Sequence, residues 1–308
     1  MKKFIFLNKN NINNPKWKYL LMITNIANII FLLIPTFAFG NFGNALEFDG
    51  NNDYVDCGQS DALDITGSLT IEAWVKPYTK NSNLTIVANS YAGLNNSGYA
   101  FHINTWNNTD RKIGFETNNG DPIVTRDSVV EFNQWQHIAV TASGVTATVY
   151  VNGEAKKVIG NVTLTSSKPN VLNIGAMPNP AYYYKGQIDE VRIWNVVRSQ
   201  DEIKNNMCQT LVGNETGLVA YYQFDETGVS TTLPDITDNH NDGTLTNMSS
   251  TEWQNSSVSD AVVCQQDTTT ITSFNTAIPS LNEWGIFLFT MTLMISSIIY
   301  IRKRKVLT

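Results

Sequence analysis

The sequence is poor in the residues that carry covalent chemistry. Its 308 residues include three cysteines and three histidines. No two of the histidines stand at a metal-ligand spacing, so zinc-type hydrolysis lacks its ligands. A Gly-x-Ser-x-Gly elbow, a phosphate-cradling glycine loop and a dinucleotide fingerprint are also missing, which removes acyl transfer and nucleotide chemistry. Positive charge is scarce: 21 Lys and Arg against 27 Asp and Glu leave a net charge of −6. Phosphate backbones need a basic patch, so nucleic acid is excluded as a partner. Sustained helical periodicity is absent except in one short stretch.

What is there begins with two apolar runs, one at each end. Lys2, Lys3, Lys16 and Lys18 precede an apolar run over 19–34, followed by Pro35 and the small-x-small pattern Ala38-Phe39-Gly40. This predicts a secretory signal peptide over residues 1–40, cut near Gly40–Asn41, with an uncleaved anchor as the alternative. At the other end a second apolar run over 286–301 is closed by Arg302-Lys303-Arg304-Lys305. A run of that length just crosses a bilayer, and the basic cluster keeps its own side cytoplasmic. Export permits a disulfide. Cys208 and Cys264 bracket one segment at the end of the body and are the expected pair, while Cys57 follows a strand and reads equally as a small buried residue.

Between residues 41 and 265 the chain is a succession of short alternating runs bounded by Gly, Asn, Asp and Pro, the pattern of an antiparallel sandwich or jelly roll. The tract 69–77, LTIEAWVKP, alternates strictly and ends at Pro77. The runs 135–141 and 146–151 follow, and Asn152-Gly153 supplies a two-residue hairpin turn before 154–159. In 186–195, GQIDEVRIWN, apolar Ile188, Val191 and Ile193 interleave with Asp189, Glu190 and Arg192, again a strand with one buried face. The one helix is expected over 199–207, with Ser199 as cap and Glu202 completing a capping box. Residues 266–277, rich in Thr and Ser, read as a linker.

Four segments carry a resemblance: ALEFDGNNDYVDCG at the start of the body, SLTIEAWVKP, WQHIAVTASGVTATVYVNGE, and GQIDEVRIWNVVRSQDEI with the later GLVAYYQFDETG and DNHNDGTL. Together they resemble the LamG-like jelly roll of the concanavalin A-like lectin/glucanase superfamily. The resemblance implies an all-β, two-sheet antiparallel jelly roll with one short helix over 41–265, and a binding role rather than a catalytic one, with a purely structural surface or matrix protein as the alternative and a glycan hydrolase behind it. In many relatives two acids bind a structural calcium ion, and the matching positions are Asp49 and Asp189; both also suit plain turn-capping. Residues 278–285, IPSLNEWG, resemble the IPTL-type bacterial sorting signals handled by exosortase-like enzymes. That makes 278–308 a sorting signal and implies a membrane contact until sorting, with the body displayed on the cell surface or in the extracellular matrix.

Glucanase relatives carry Glu-x-Asp-x-x-Glu, with two carboxyls acting together. The nearest match here, Glu47 to Asn52, replaces the second carboxylate with an amide, so no catalytic residue is assigned. Sugar recognition instead uses aromatic rings against the apolar face of a pyranose and amides on its hydroxyls. Tyr91, Trp106, Tyr182, Tyr183 and Tyr184 lie in aromatic, Asn-rich tracts and are the candidate contacts for an extracellular glycan or glycoprotein. Trp74, Trp135 and Trp194 lie in strands and read as packing.

Overall fold

The computed structural model describes residues 42–90, 97–117, 123–160, 162–168, 170–179, 181–227, 230–248, 252–256, 258 and 264. The expected signal peptide, linker and sorting signal lie outside these residues, as does Tyr91. Among the described residues, no helix is long and apolar enough to cross a membrane.

Among the described residues, two antiparallel sheets of eight strands each make up the body. The first contains β1 (Asn44–Asp49), β3 (Leu69–Pro77), β8 (Gln136–Ala142), β9 (Thr146–Val151), β10 (Glu154–Gly160), β12 (Lys185–Trp194), β13 (Leu218–Tyr222) and β16 (Trp253–Asn255). Its order is β10-β9-β8-β3-β12-β1-β16, and β13 pairs with the second half of β12. The second sheet contains β2 (Tyr54–Asp56), β4 (Leu84–Ala88), β5 (Ala100–Ile103), β6 (Ile113–Glu116), β7 (Ile123–Val124), β11 (Asn173–Ile174), β14 (Thr232–Leu233) and β15 (Gly243–Thr246). Its order, β14-β15-β2-β11-β4-β5-β6-β7, brings strands distant in sequence side by side, as a jelly-roll sandwich requires.

Alternation decides which side chains fill the space between the sheets. β3 sends Leu69, Ile71, Ala73 and Val75 inward, β12 sends Ile188, Val191 and Ile193, and they meet Val55, Val87, Phe101, Phe115 and Ile174 from the second sheet. Each of these valine, leucine, isoleucine and phenylalanine side chains, fully buried, contributes about 1.5–3 kcal/mol. The alternate positions of β3 are buried too, because the outer face of the first sheet is roofed. The helix α1 (Gln200–Asn206) lies there, capped by Ser199 with the reciprocal Glu202 bond and anchored by buried Ile203. Trp74 donates its indole N–H to the Met207 carbonyl at 2.6 Å. Cys208, just past the helix, is bonded to Cys264, and both pack with Trp74, Phe42 and Val258. Cys57 is a buried free thiol; burial pushes its pKa up to about 12.

Beneath that roof lies a polar layer that sequence alternation does not reveal. Glu72 is fully buried between Arg198, at 2.7 Å, and His137, at 3.4 Å. Burial alone would raise its pKa, but the close approach of His137 and the charges of Arg192 and Arg198 outweigh it and hold the carboxyl at about 2. Glu190 accepts from Arg192 at 2.6 Å and from the Tyr221 hydroxyl at 2.5 Å. These bonds offset the cost of burying the charges.

Candidate functional site

Several loops gather at the end of the sandwich where β3 and β5 finish and β12 starts. Asn104, in a left-handed conformation (φ 65°), closes the β5–β6 loop. Its amide donates to the carbonyls of Lys80 and Ser82, each at 3.1 Å, and accepts from the Arg111 N–H at 3.0 Å. Asp110 crosses the same loop, accepting from the Thr105 N–H at 3.0 Å and its hydroxyl at 2.7 Å. Lys80 in turn donates to the carbonyls of Gly50, at 2.6 Å, and Tyr183, at 2.7 Å. One ammonium group thus ties three connections together. Burial lowers its pKa, partly offset by Asp49.

Trp106 stands on this fastened loop with 69% of its surface exposed. An indole held out by a fixed backbone loses little freedom when a ring stacks on it, which is the economy that aromatic recognition surfaces use.

The three tyrosines divide. Tyr182 (φ 53°) is half-buried against Met177, Ala88 and Ala100 on the outer face of the second sheet, and its carbonyl accepts from the Thr85 N–H at 3.2 Å. Tyr183 is half-buried beside Tyr54. Tyr184 is fully buried, edge-on to Phe48 with ring centroids 5.8 Å apart. Its role as a ligand contact is therefore corrected: the left-handed turn at Tyr182 breaks the alternation, so Tyr182 and Tyr183 stay at the surface and Tyr184 enters the core.

On the same outer face, His102 and Glu116 form a pair. The ring lies over Gly114, where an added Cβ would sit 2.2 Å from it. Nδ1 meets the Asn104 carbonyl at 2.9 Å and Nε2 meets Glu116 at 3.1 Å. A carbonyl only accepts, so Nδ1 carries a proton. Lys80, Asn104 and this pair escaped sequence reading; the signal for His102 was its alternation with inward Phe101.

The two acids expected to share a cation do not meet. Leu46 pairs with Ile188 and Asp49 with Lys185, so Asp49 and Asp189 are four positions apart along neighbouring strands, about 13 Å. Asp49 caps its own turn, accepting from the N–H of Asn51 at 2.6 Å and its side chain at 2.9 Å. Asp189 is fully buried and accepts from Ser256 at 2.7 Å. Its Oδ1 and the Oε1 of Glu190 are buried without a partner. Burial and the neighbouring Glu190 push the Asp189 carboxyl well above the usual range. Among the described residues, no three acidic, histidine or cysteine side chains converge as an ion site.

Glu47 lies on β1 between Leu46 and Phe48, which face the core. It accepts from Gln187 at 3.1 Å, and β1 is flanked by β12 and β16, not placed at an edge.

Residues 49–204 match the Laminin_G_3 model, described as the concanavalin A-like lectin/glucanases superfamily. The chain belongs to this superfamily. Among solved structures, this superfamily member resembles a candidate carbohydrate binding protein from Bacteroides ovatus, at 21% identity and a TM-score of 0.52, covering 67% of this chain and 58% of that one. It therefore spans a little over half of that neighbour. It also resembles the CBM40 of the Ruminococcus gnavus IT-sialidase bound to α2,3 sialyllactose, at 15% identity and a TM-score of 0.45, covering 54% of this chain and 98% of that one. Domain 4 of AbnA, a GH43 extracellular arabinanase from Geobacillus stearothermophilus, in complex with arabinotriose, matches at 20% identity and a TM-score of 0.42, covering 56% of this chain and 80% of that one. No curated protein matches the sequence.

Proposed function

We propose that this protein is a non-catalytic glycan-binding module acting outside the cell, with its site at the rim around Trp106, Tyr182 and Tyr183. The observation that carries this reading is the exposed indole of Trp106 on a loop whose backbone is fastened at both ends by Asn104 and Asp110. A ring in that position stacks on the apolar face of a sugar, and the neighbouring Asn107 and Asn108 bond its hydroxyls. The Bacteroides neighbour's carbohydrate-binding description agrees with this reading. The Cys208–Cys264 bond supports export, and the C-terminal sorting signal remains the proposed route to the surface. For a purely binding role, the supporting feature is Glu47, whose carboxylate is already engaged by the Gln187 amide at 3.1 Å.

The test is a glycan array on the full chain beside Trp106→Ala. The exposed substitution leaves the melting temperature unchanged, while bound glycans lose about tenfold in affinity, the worth of one stacking contact. Equal binding by both proteins would reject the site.

The calcium implied by the superfamily is proposed for Asp189 and Glu190, whose free oxygens are of the hard type calcium prefers, with backbone carbonyls and water completing the shell. Asp49 is not in that set. Added calcium is expected to raise the melting temperature of the native protein and not of Asp189→Asn; an equal rise in both would remove Asp189 from the shell.

A further inference from the structure

A second concavity lies at the opposite end of the sandwich, where β3 starts and β12 finishes, about 30 Å from the Trp106 rim along β3. It is an open groove of about 580 Å³ lined by residues 61, 62 and 64–68, by Asn195 and Asn239, and by residues 217–219. Its size falls within the range of small-ligand sites.

The chemistry of its walls is selective. Apolar ligands are disfavoured, since carboxylates, amides and irregular backbone dominate. Anions are disfavoured too, because no lysine or arginine lines it. Its two carboxylates are already engaged and offer little to a cation: Asp61 pairs with Lys168, and Asp64 accepts from Ser166 at 2.7 Å and from the Ser167 N–H at 2.7 Å. What remains open is neutral hydrogen-bonding capacity. The Asn195 side-chain amide makes no hydrogen bond to a described residue. Asn239 spends its NH₂ on the Val219 carbonyl at 2.9 Å, leaving its oxygen to accept. Residues 65–68 donate no backbone hydrogen bond to any described residue, so their N–H groups are free for a ligand. Ile65, Leu218 and Val219 supply apolar surface between these groups.

We propose that this groove is a second saccharide site, for a neutral polyhydroxylated ligand bound by amides and backbone rather than by stacking. With the Trp106 site at the other end, one molecule then holds two glycan chains and cross-links them. Avidity on a polymer exceeds the affinity of either end alone. The groove itself does not depend on the Trp106 reading, whereas the cross-linking rests on it, and the test keeps the two apart.

Gly67 offers the block. Nothing lies within 4 Å of a Cβ placed there, so Gly67→Arg fills the groove without disturbing the fold, and Asn195→Leu removes its free amide by a separate route. The native full chain, Trp106→Ala, Gly67→Arg, Asn195→Leu and the Trp106→Ala/Gly67→Arg double variant are run in gels containing neutral polysaccharides: arabinan, galactomannan, mannan and dextran. Thermal melts confirm folding. Trp106→Ala is expected to keep residual retardation on at least one polymer, and the double variant to lose it. Gly67→Arg and Asn195→Leu alone should each weaken native retardation about tenfold, through loss of avidity. Complete loss in Trp106→Ala alone, or equal residual retardation in the double variant, overturns the groove. Native protein retarded by none of the polymers overturns it as well. Unchanged retardation in Trp106→Ala with loss in Gly67→Arg would reject the rim site and leave the groove standing.

Discussion

Glu72 shows how much one buried carboxylate can weigh. Its pKa in the fold, about 2, lies below its ordinary 4.5, so the folded state holds the deprotonated form more tightly. The resulting stability is fully present above pH 4.5 and is lost as pH falls through 2, on the order of 3 kcal/mol in all. Glu72→Gln should flatten that part of an acid-unfolding curve. At neutral pH it also leaves Arg198 with a weaker partner, and a loss of about 3–5 kcal/mol is expected in urea titrations. A variant with the native acid slope would show that Arg198 and His137 do not depend on this carboxylate. Nothing in the alternation of LTIEAWVKP marks Glu72 as buried, because the same pattern describes a strand whose polar face meets water. The roof above it comes from residues more than a hundred positions away, and that is why such residues elude sequence reading.

At the scale of elements, legibility follows the strength of local rules. β3, the β9–β10 hairpin and α1 were all readable, since each has a local cause: strict alternation, an Asn152-Gly153 turn with φ values of 51° and 73°, and a Ser199–Glu202 capping box. β4 was not. Its five residues, LTIVA, are all buried, so no alternation separates two faces, and the run is too short to announce a strand by itself. The same ambiguity hid Tyr184, whose two preceding tyrosines share its chemistry and not its burial. One of the two fastenings of the loop that carries Trp106 is the amide of Asn104. Asn104→Ala removes three hydrogen bonds and leaves the indole in place. Sugar binding should therefore weaken while the Trp106 fluorescence signal broadens toward that of a mobile side chain. Unchanged affinity in this variant would mean that the loop holds its shape without Asn104.

For the whole molecule, the covalent closure matters most. Cys208 and Cys264 are separated by 56 residues, and a loop of that size restricts the unfolded chain by about 4 kcal/mol. Cys264→Ser should lower the unfolding free energy by an amount of that order, and reductant should reproduce the shift in the native protein. A variant as stable as the native would place the bond's role outside folding. The superfamily architecture itself was legible from patterning and from four quoted segments. The distribution of its polar interior and the second concavity at 61–68 were not, because they arise only where connections distant in sequence come together.

The bond between residues 208 and 264 also decides how the domain carries tension. When the chain is pulled at a point before Cys208 and another beyond Cys264, load passes across the sulfur bridge and skips everything enclosed between them. Strands β13 to β16 all fall in that enclosed stretch, so they experience no stretching until the bridge is cut. A body tugged by whatever it grips would thus yield first in its other strands, and reduction would convert the sheltered quarter of the fold into the part that unravels earliest.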